Sequence, residues 1–481
     1  MKKNLIYSSL IALLVAGGTG CKKFSDFGDT NDNPAATTQA NVAALMTNSL
    51  ASLGGYAFSL TPGQYCQYFS QSQYPDVMNY SLQQLSFTGH YTGVLYDLQN
   101  IQIENKSNNQ NQVAKIVQQY IFWRITDQWG DLPYSQALKG VEFSKPVYDK
   151  QEDIYKGILA TLTAAANGFD GSAITGDIIF NGNVASWKRV ANSLRLVVAI
   201  QLSKKYPAAS GYAATEFKAA LADAGGVITS NSQNFQLNYP GGNYKSVIWG
   251  LYNGRKDYGE SKTMTDLTAS LNDARQAVFG GAGEEAGNVT TSNIGIPYGK
   301  DKATTEGFTN GNPTWARILR GDKRTENSPV YILTAAHVAL ARAEAANLGW
   351  TTDNMASMYQ NGITLSYEQW GVGTPSVSYL TAVDVALGAP GDVDNVKKIS
   401  TQRYLAYYPD GLSGWNVWRK TGFPVLVPAT AATNAAEGKV IPRRYAYATS
   451  EQQSNKDNNT AAVARIPGGK DLQSARVWWD Q

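Results

Sequence analysis

The fold class is decided by one stretch, Trp187-Lys188-Arg189-Val190-Ala191-Asn192-Ser193-Leu194-Arg195-Leu196. From its start, apolar residues recur every three or four positions, which is the period of an amphipathic helix. They are Trp187, Val190, Ala191, Leu194, Val197, Val198 and Leu202. Lys204, Lys205 and Pro207 follow, and such residues end helices. The stretch predicts a helix between Gly182 and Pro207 with one apolar face.

Other parts of the chain repeat this pattern. Helical stripes occupy residues 87–103, 113–129, 153–166 and 396–407, and no long alternating β pattern competes with them. Ser328 and Pro329 resemble an N-cap and first helical position, and the alanine-rich helix they open should stop at Gly349. A partner helix is expected over residues 352–370. The sequence therefore predicts an all-α protein.

Helix pairs joined by short loops suggest a tetratricopeptide-like solenoid, although no clean 34-residue self-match is present. Between the pairs lie long stretches rich in Gly, Asn and Ser, chiefly residues 33–86, 227–260, 280–312 and 422–481. Loops this long usually carry function or pack as irregular structure. We expect them to lie over the helix pairs.

The composition excludes several function classes. The chain has 481 residues, and 41 basic against 38 acidic side chains give a net charge of +3, so no basic surface points to nucleic acid. Two cysteines and two histidines cannot build a zinc cluster or a disulfide framework, and we expect neither a metal nor a cofactor. Aromatic residues are plentiful, and the 28 tyrosines outnumber the 14 phenylalanines. Much of the aromatic surface therefore carries a hydroxyl group.

The N-terminus resembles a bacterial lipoprotein leader. Lys2 and Lys3 precede a short apolar run, and small residues then lead to Cys21. We expect a signal peptide over residues 1–20, lipidation of Cys21, a tether over residues 21–40 and one helical domain over residues 41–481. Gly18 departs from the usual aliphatic residue before such a cysteine, so an ordinary signal peptide with an incidental cysteine stays an alternative. Lipidation would leave Cys66 as a lone thiol.

Several strings together resemble the SusD/RagB family of Bacteroidetes nutrient-binding outer-membrane lipoproteins, and especially its SusD-like branch. They span residues 29–34, 126–138, 187–196, 341–350, 415–424 and 441–480, and include Asp127-Gln128-Trp129-Gly130-Asp131, Trp415-Asn416-Val417-Trp418-Arg419 and the ending Trp478-Trp479-Asp480. Ala274 departs from the proline common in the family, and His337 from a frequent acidic residue. The strings follow the family order along nearly the whole mature chain.

The resemblance implies an α-helical protein with about four tetratricopeptide-like helix pairs. Such proteins capture oligosaccharides, or in some cases peptides, at the cell exterior and act as a lid on a SusC-like TonB-dependent outer-membrane transporter. They are held to the outer membrane by a lipid and are not enzymes. Ligand contacts in the family lie in loops that vary too much between members to carry over residue by residue.

The sequence itself shows no catalytic motif. The run Gly411-Leu412-Ser413-Gly414 lacks the spacing of a nucleophile elbow, and residues 295–301 end in Asp where a phosphate-binding loop needs Ser or Thr. His90 and His337 fall within helical stripes and are expected to be structural. Residues 29–33 imitate a calcium loop, but Pro34 replaces its glycine. A pair of glycosidase carboxylates cannot be recognised from sequence, so a surface hydrolase stays an alternative.

The candidate ligand wall is marked by an absence of charge. Residues 33–96 contain a single formal charge, Asp76, among many aromatic, Gln, Ser and Asn residues. Sugars present apolar C–H faces and neutral hydroxyl edges, which suit flat aromatics beside uncharged hydrogen-bonding groups. A second candidate wall spans residues 243–255. The candidate ligand contacts in the two walls are Tyr68, Tyr74, Tyr80, Trp249, Tyr252 and Arg255, with simple packing as the alternative for the first three.

Three hypotheses follow: a nutrient-binding surface lipoprotein, a surface hydrolase, and an adhesion or scaffold lipoprotein. Within the first, neutral residues 33–96 favour a neutral glycan, whereas Arg255 and Asp257 could pair with the termini of a peptide. Tyr74 and Trp249 are expected to matter more for binding than any charged residue.

Overall fold

The computed structural model describes residues 41–81 and 84–481. The helix predicted around Trp187 runs over Val184–Gln201 and continues as a short 3-10 turn, Leu202–Lys204. It begins at Asn183, whose side chain accepts a hydrogen bond from the backbone N–H of Ser186. This N-cap satisfies one of the N–H groups that a helix start leaves without a partner.

Helices dominate the described residues. In chain order they are α1 Val42–Ala51, α2 Leu53–Ala57, α3 Leu60–Tyr65, α4 Thr88–Thr92, α5 Val94–Glu104, α6 Asn108–Trp129, α7 Gln151–Asn167, α8 Val184–Gln201, α9 Tyr212–Ala222, α10 Lys262–Leu271, α11 Gln276–Phe279, α12 Lys302–Gly311, α13 Ala335–Asn347, α14 Met355–Trp370, α15 Val377–Leu380, α16 Val393–Tyr407, α17 Gly411–Thr421, α18 Thr449–Ser454 and α19 Lys456–Arg465. Short 3-10 turns include Gly140–Phe143, Trp249–Tyr252 and Trp478–Asp480.

The strands are two to four residues long and form four separate two-stranded ladders. They are β1 Phe69–Gln71, β2 Gln84–Leu85, β3 Phe235–Leu237, β4 Tyr258–Glu260, β5 Gly280–Gly281, β6 Arg317–Ile318, β7 Val330–Leu333 and β8 Ala446–Tyr447. β1 pairs with β4, β3 with β7 and β5 with β6 in antiparallel fashion, and β2 pairs with β8 in parallel. Each ladder joins segments far apart in sequence, so the strands serve to fasten loops.

Consecutive helices pack against each other in pairs. Such contacts join α5 with α6, α6 with α7, α7 with α8, α8 with α9, α13 with α14 and α16 with α17, and α13 also packs on α16. Packed helices with long irregular segments around them agree with the predicted all-α, tetratricopeptide-like architecture. The predicted fold class is confirmed.

Two sequence-based boundaries are wrong. Ser328 and Pro329 do not start a helix, because the β-prone residues Val330–Leu333 pair with Phe235–Leu237 first. The helix begins after Thr334, whose hydroxyl accepts a hydrogen bond from the N–H of His337, while Nδ1 of His337 accepts one from the N–H of Thr334. His337 thus fills a structural capping role. The stripe over residues 87–103 is likewise broken, at Gly93, between α4 and α5.

The stretches predicted to be irregular are partly helical. Residues 33–86 contain α1, α2 and α3, and residues 422–481 contain α18 and α19. α2, α3 and α18 are only five or six residues long, which is too short for a period to show, whereas α1 carries an apolar stripe, Val42, Met46 and Leu50, that the prediction overlooked. The prediction of long loops was therefore too broad in both places.

The strings that carried the family resemblance form a buried polar cluster. Asp127 accepts hydrogen bonds from the indole N–H of Trp479, at 2.9 Å, and from the side chains of Tyr155 and Asn416. The guanidinium of Arg419 lies 3.8 Å from the ring centre of Trp415 and 4.8 Å from that of Trp479. Burial raises the pKa of Asp127 to about 6, against the opposing effect of Arg419. We call Asp127, Tyr155, Asn416, Arg419 and Trp479 the motif core.

The C-terminus closes over this motif core. Asp480 is fully buried and forms ion pairs with Lys204, Arg443 and Arg476. Three positive partners compensate one buried carboxylate, as burial of a charge requires. Asp480 therefore fastens the 3-10 turn that follows α8 to the segment that contains Arg443.

Cys66 is a buried free thiol, and burial raises its pKa well above the usual value. The predicted signal peptide, Cys21 and the tether lie outside the described residues. Within residues 41–81 and 84–481, no helix combines the length and apolar character needed to cross a bilayer.

Candidate functional site

An open groove of about 670 Å³ brings together parts of the two candidate walls singled out in the sequence. One wall comes from the segment between α2 and α3, with Phe58 and Leu60, and the other from residues 247–258, with Leu251 and Tyr258. Trp129, Leu85 and Tyr445 also line it. We call this the neutral groove, because Arg255 is the one charged residue among its sixteen lining residues.

A buried ion pair fixes the first wall. Arg124 on α6 pairs with Asp410, which precedes α17, and also donates a hydrogen bond of 2.8 Å from Nη2 to the backbone carbonyl of Tyr56. Gly63 and Gly411 approach so closely that a Cβ added to Gly411 would lie 2.3 Å from the N of Gly63. A side chain at Gly411 would thus displace this wall.

The second wall is tied to the first part of the chain by strand pairing. β4 pairs with β1 in a register that sets Tyr258 opposite Gln71. The hydroxyl of Tyr252 donates a hydrogen bond to the carbonyl of Tyr258 and accepts one from the N–H of Ile318, both at 2.8 Å. These bonds hold the backbone of residues 252–258 in place.

Arg255 stands at the rim of the neutral groove. Its Nε and Nη2 donate hydrogen bonds to Asp257 at 2.9 and 2.6 Å, and these bonds raise the pKa of the guanidinium. The guanidinium carbon lies 5.9 Å from the ring centre of Tyr258. No other described residue accepts a hydrogen bond from Arg255, so its remaining N–H groups are available to a ligand oxygen.

Tyr74 is the most exposed of the predicted ligand contacts, at 58%. Its backbone N–H donates a hydrogen bond to the side chain of Gln71, the β1 residue opposite Tyr258. The ammonium of Lys302 lies 5.9 Å from its ring centre. Tyr74 therefore lies beside the Arg255 end of the neutral groove, with its ring open to solvent.

Three predicted contacts are core residues, which corrects their assignment to the ligand wall. Tyr68 and Tyr80 are fully buried: the hydroxyl of Tyr68 donates to the carbonyl of Tyr404, and that of Tyr80 accepts from the N–H of Ala429. Tyr252 is buried beneath Arg324, whose guanidinium carbon lies 4.4 Å from its ring centre. Burial raises the pKa of all three phenols. None presents a ring face to solvent.

Trp249 lies outside the neutral groove. Its neighbours Gly250 and Leu251 line the groove, but the 3-10 turn directs Trp249 into an adjacent hollow of about 270 Å³. The ammonium of Lys245, itself paired with Glu326, lies 4.0 Å from the Trp249 ring centre and covers one ring face. The structure thus brings Tyr74 and Arg255 together but not Trp249.

Sequence reasoning missed Tyr258, Phe58 and Trp129 as lining residues. Phe58 lies in the charge-poor stretch and could have been chosen from it. Trp129 falls in a helical stripe that indicates core, and Tyr258 reaches the groove through pairing of β1 with β4. Such pairing between two three-residue strands, far apart in sequence, leaves no periodic pattern to recognise.

The neutral groove offers little for acid–base or metal chemistry. Its lining residues include no Asp, Glu, His or Cys. Across the described part of the chain, no cluster of three or more such residues could hold a metal ion. The groove instead combines aromatic and aliphatic surface with the polar side chains of Ser59, Thr61, Ser86 and Gln128. This combination suits binding of a neutral, polyhydroxylated molecule.

Residues 32–448 match a SusD-like family described as starch-binding and associating with the outer membrane. Among curated proteins, none matches the sequence.

Solved structures similar to this chain cover 92% of it. A chitin-binding protein is 26% identical, with a TM-score of 0.75 and all of its own chain covered. A SusD homologue from Bacteroides uniformis is 23% identical, with a TM-score of 0.80 and full coverage of its chain. A chitin-binding SusD homologue from Flavobacterium johnsoniae is 22% identical, with a TM-score of 0.77 and 99% of its chain covered.

Proposed function

This chain belongs to the SusD-like family of nutrient-binding proteins that associate with the outer membrane, and from that premise we propose that it captures a neutral oligosaccharide in the neutral groove. The observation that carries the proposal is the composition of the groove. Aromatic and aliphatic side chains lie beside hydroxyl and amide groups, with Arg255 as the single charge. A sugar needs apolar contact for its C–H faces and neutral partners for its hydroxyls.

The ligand class that we favour is a neutral glycan such as a chitin oligosaccharide. Two of the similar structures are chitin-binding proteins, and one of them is 26% identical to this chain. Chitin is uncharged, so it fits a groove without acidic residues. Tyr74 and Tyr258 would stack on sugar rings, and Arg255 would donate to a ring or hydroxyl oxygen.

We propose binding without catalysis. A glycosidase needs two carboxyl groups about 5 to 9 Å apart across the scissile bond. Asp257, the acidic residue closest in sequence to the groove wall, is buried and holds Arg255. The hydrolase alternative therefore lacks the carboxyl pair that it needs in this groove.

We further propose that the protein is a lipoprotein anchored through Cys21 and facing the cell exterior. A tethered binding protein cannot itself move cargo across a membrane, so a SusC-like TonB-dependent barrel would receive the ligand. Cys21→Ala should release the protein from the membrane fraction, since bacterial lipoproteins depend on their acyl chains for retention. A variant that stays quantitatively membrane-bound after the barrel is removed would contradict the anchor.

Affinity purification in mild detergent tests the partner. A standing lid on a barrel should bury more than about 2,000 Å² in total, which is enough to survive isolation. We expect the barrel to copurify with the wild-type protein. Repeated recovery of the protein without a barrel would contradict the partnership.

A combined glycan and peptide array with the soluble form starting at Lys22 tests the ligand class. We expect neutral glycans to bind and peptides to fail. The peptide alternative is weakened by the pairing of Arg255 with Asp257, because each neutralises the charge with which the other would attract a peptide terminus. Binding of peptides alone would overturn the proposal.

A further inference from the structure

A second groove, of about 550 Å³, lies between α4, the loop over residues 133–146 and α18. It shares no lining residue with the neutral groove. Its surface is mainly apolar and includes Tyr91, Tyr96, Leu138 and Phe143. Tyr96 is 46% exposed, and Val141, next to this groove in the 3-10 turn Gly140–Phe143, is 98% exposed. We call this the second groove.

A buried acidic side chain distinguishes the second groove from the first. Glu451 lines it and is only 8% exposed. Its two carboxyl oxygens accept hydrogen bonds from the hydroxyls of Thr88, at 3.2 Å, and Tyr148, at 2.5 Å. No Lys, Arg or His nitrogen among the described residues lies within 4.0 Å of it. Buried carboxylates are normally paired with a cation, and this one has only neutral donors.

The aromatic side chains around Glu451 suit a cation with an apolar body. The ammonium of Lys139 already lies 5.3 Å from the ring centre of Phe143, within the range of a cation–π contact. Lys139 is exposed at the rim and is the one other charged residue that lines the groove. An incoming ammonium could therefore pass the rim and reach Glu451, where it would complete the charge balance.

We propose that the second groove binds a glycan that carries a free amino group, with the sugar ammonium at Glu451 and a ring face on Tyr96. The inference rests on the proposed function of glycan capture and adds a second site of different charge preference. A sugar fits better than a lysine side chain, because Gln136, Ser454 and Asn455 add uncharged polar groups to the lining for its hydroxyls. The neutral groove would bind acetylated units and the second groove deacetylated ones.

The test compares two oligosaccharides of equal length, a fully deacetylated and a fully N-acetylated chitin oligomer. Calorimetry uses the full chain in mild detergent and mildly acidic buffer, where the sugar amine is protonated. Glu451→Gln keeps the size of the side chain but removes its charge. We expect it to weaken binding of the deacetylated oligomer by about tenfold or more, as loss of a charge-assisted contact does. Binding of the N-acetylated oligomer should not change.

Tyr96→Ala is the second variant, because an exposed ring can be removed without unfolding the protein. This variant should also bind the deacetylated oligomer more weakly, and its melting temperature should stay the same. Unchanged affinity for that oligomer in both variants would overturn the inference. It would also be overturned if a lysine peptide, and not the sugar, lost affinity in the Glu451→Gln variant. If either variant lost binding of the N-acetylated oligomer but still bound the deacetylated one, the assignment of acetylated sugars to the neutral groove would be contradicted instead.

Discussion

The motif core and the neutral groove use opposite chemistry. In the motif core, buried charges and polar groups satisfy one another, as Asp127 does with Tyr155, Asn416 and Trp479. In the neutral groove, sixteen lining residues include one charge, and that charge is held at the rim by Asp257. The first region specifies the fold and the second is open to a ligand. The sequence motifs of the motif core therefore identify the family. The choice of ligand depends on groove residues that form no recognisable sequence motif.

The largest expected effect is loss of stability when the motif core is disrupted. Asp127→Ala should destabilise the fold by about 3 to 5 kcal/mol, because three donors lose their acceptor and Arg419 loses a nearby negative charge. Urea unfolding measures the change. Asp266→Ala removes an exposed acid of similar size and should cost less than about 0.5 kcal/mol. Equal stability of the two variants would show that the motif core is not structural.

Glu260 differs from Asp127, the acid of the motif core, because it is a buried acid without a cation. It is fully buried, accepts one hydrogen bond from Gln276, and burial raises its pKa to about 8. The carboxyl of Glu260 therefore keeps its proton in the folded state over a pH range in which the unfolded state, where the pKa is lower, has released it. This group's contribution to stability is complete below that lower pKa and is lost as pH rises toward about 8.

Glu260→Gln should remove this pH dependence. We expect the variant to be more stable than wild type by about 3 kcal/mol at neutral pH and by up to about 5 kcal/mol above pH 8, and nearly equal in acid. Thermal unfolding across the pH range measures the effect. A wild-type protein that gains stability relative to the variant as pH rises would contradict the assignment.

Removal of a ring beside the neutral groove should affect binding and leave folding intact. Tyr74→Ala should lower the affinity for a neutral glycan about tenfold, since a stacked, partly desolvated ring contributes about 1.4 kcal/mol or more to binding. Tyr244→Ala is the matched control, because Tyr244 is also an exposed tyrosine but has no bond to β1, whereas the N–H of Tyr74 is bound to Gln71 opposite Tyr258. Trp249→Ala should weaken binding less than Tyr74→Ala does, which revises the expectation from sequence. Equal affinities of the Tyr74 and Tyr244 variants would remove Tyr74 from the site.

The smallest expected effect is that of salt on the neutral groove. A neutral ligand forms no ion pair, and screening acts on exposed charges, so affinity for a neutral glycan should change less than about twofold when salt is raised. Calorimetry at low and high salt measures this. A steep loss of affinity would indicate that Arg255 binds an anionic ligand.

The helix pairs could be predicted from sequence because burial of one helix face forces a repeat of three to four residues. α8 and α14 illustrate this. The strand at Val330–Leu333 could not be predicted, because its partner Phe235–Leu237 lies far away in the chain and the Ser328-Pro329 pair imitates a helix start.

The location of the neutral groove was partly predictable from its lack of charge, but the direction of individual side chains was not. Tyr68 and Tyr80 lie in an aperiodic segment, and contacts with Tyr404 and Ala429, more than 300 residues away, draw them into the core. Only Tyr74 and Arg255 among the predicted contacts remain at the groove. Charge-poor composition therefore indicates a region, and long-range packing selects the residues within it.

The assignment of the neutral groove as the glycan site depends on Tyr258, because its ring lines the groove beside Arg255. The measurement is calorimetric titration of wild type and Tyr258→Ala with an N-acetylated chitin oligosaccharide. We expect binding by wild type and at least about tenfold weaker binding by the variant, at an unchanged melting temperature. Undiminished binding by a folded Tyr258→Ala variant would contradict this assignment and locate the site elsewhere.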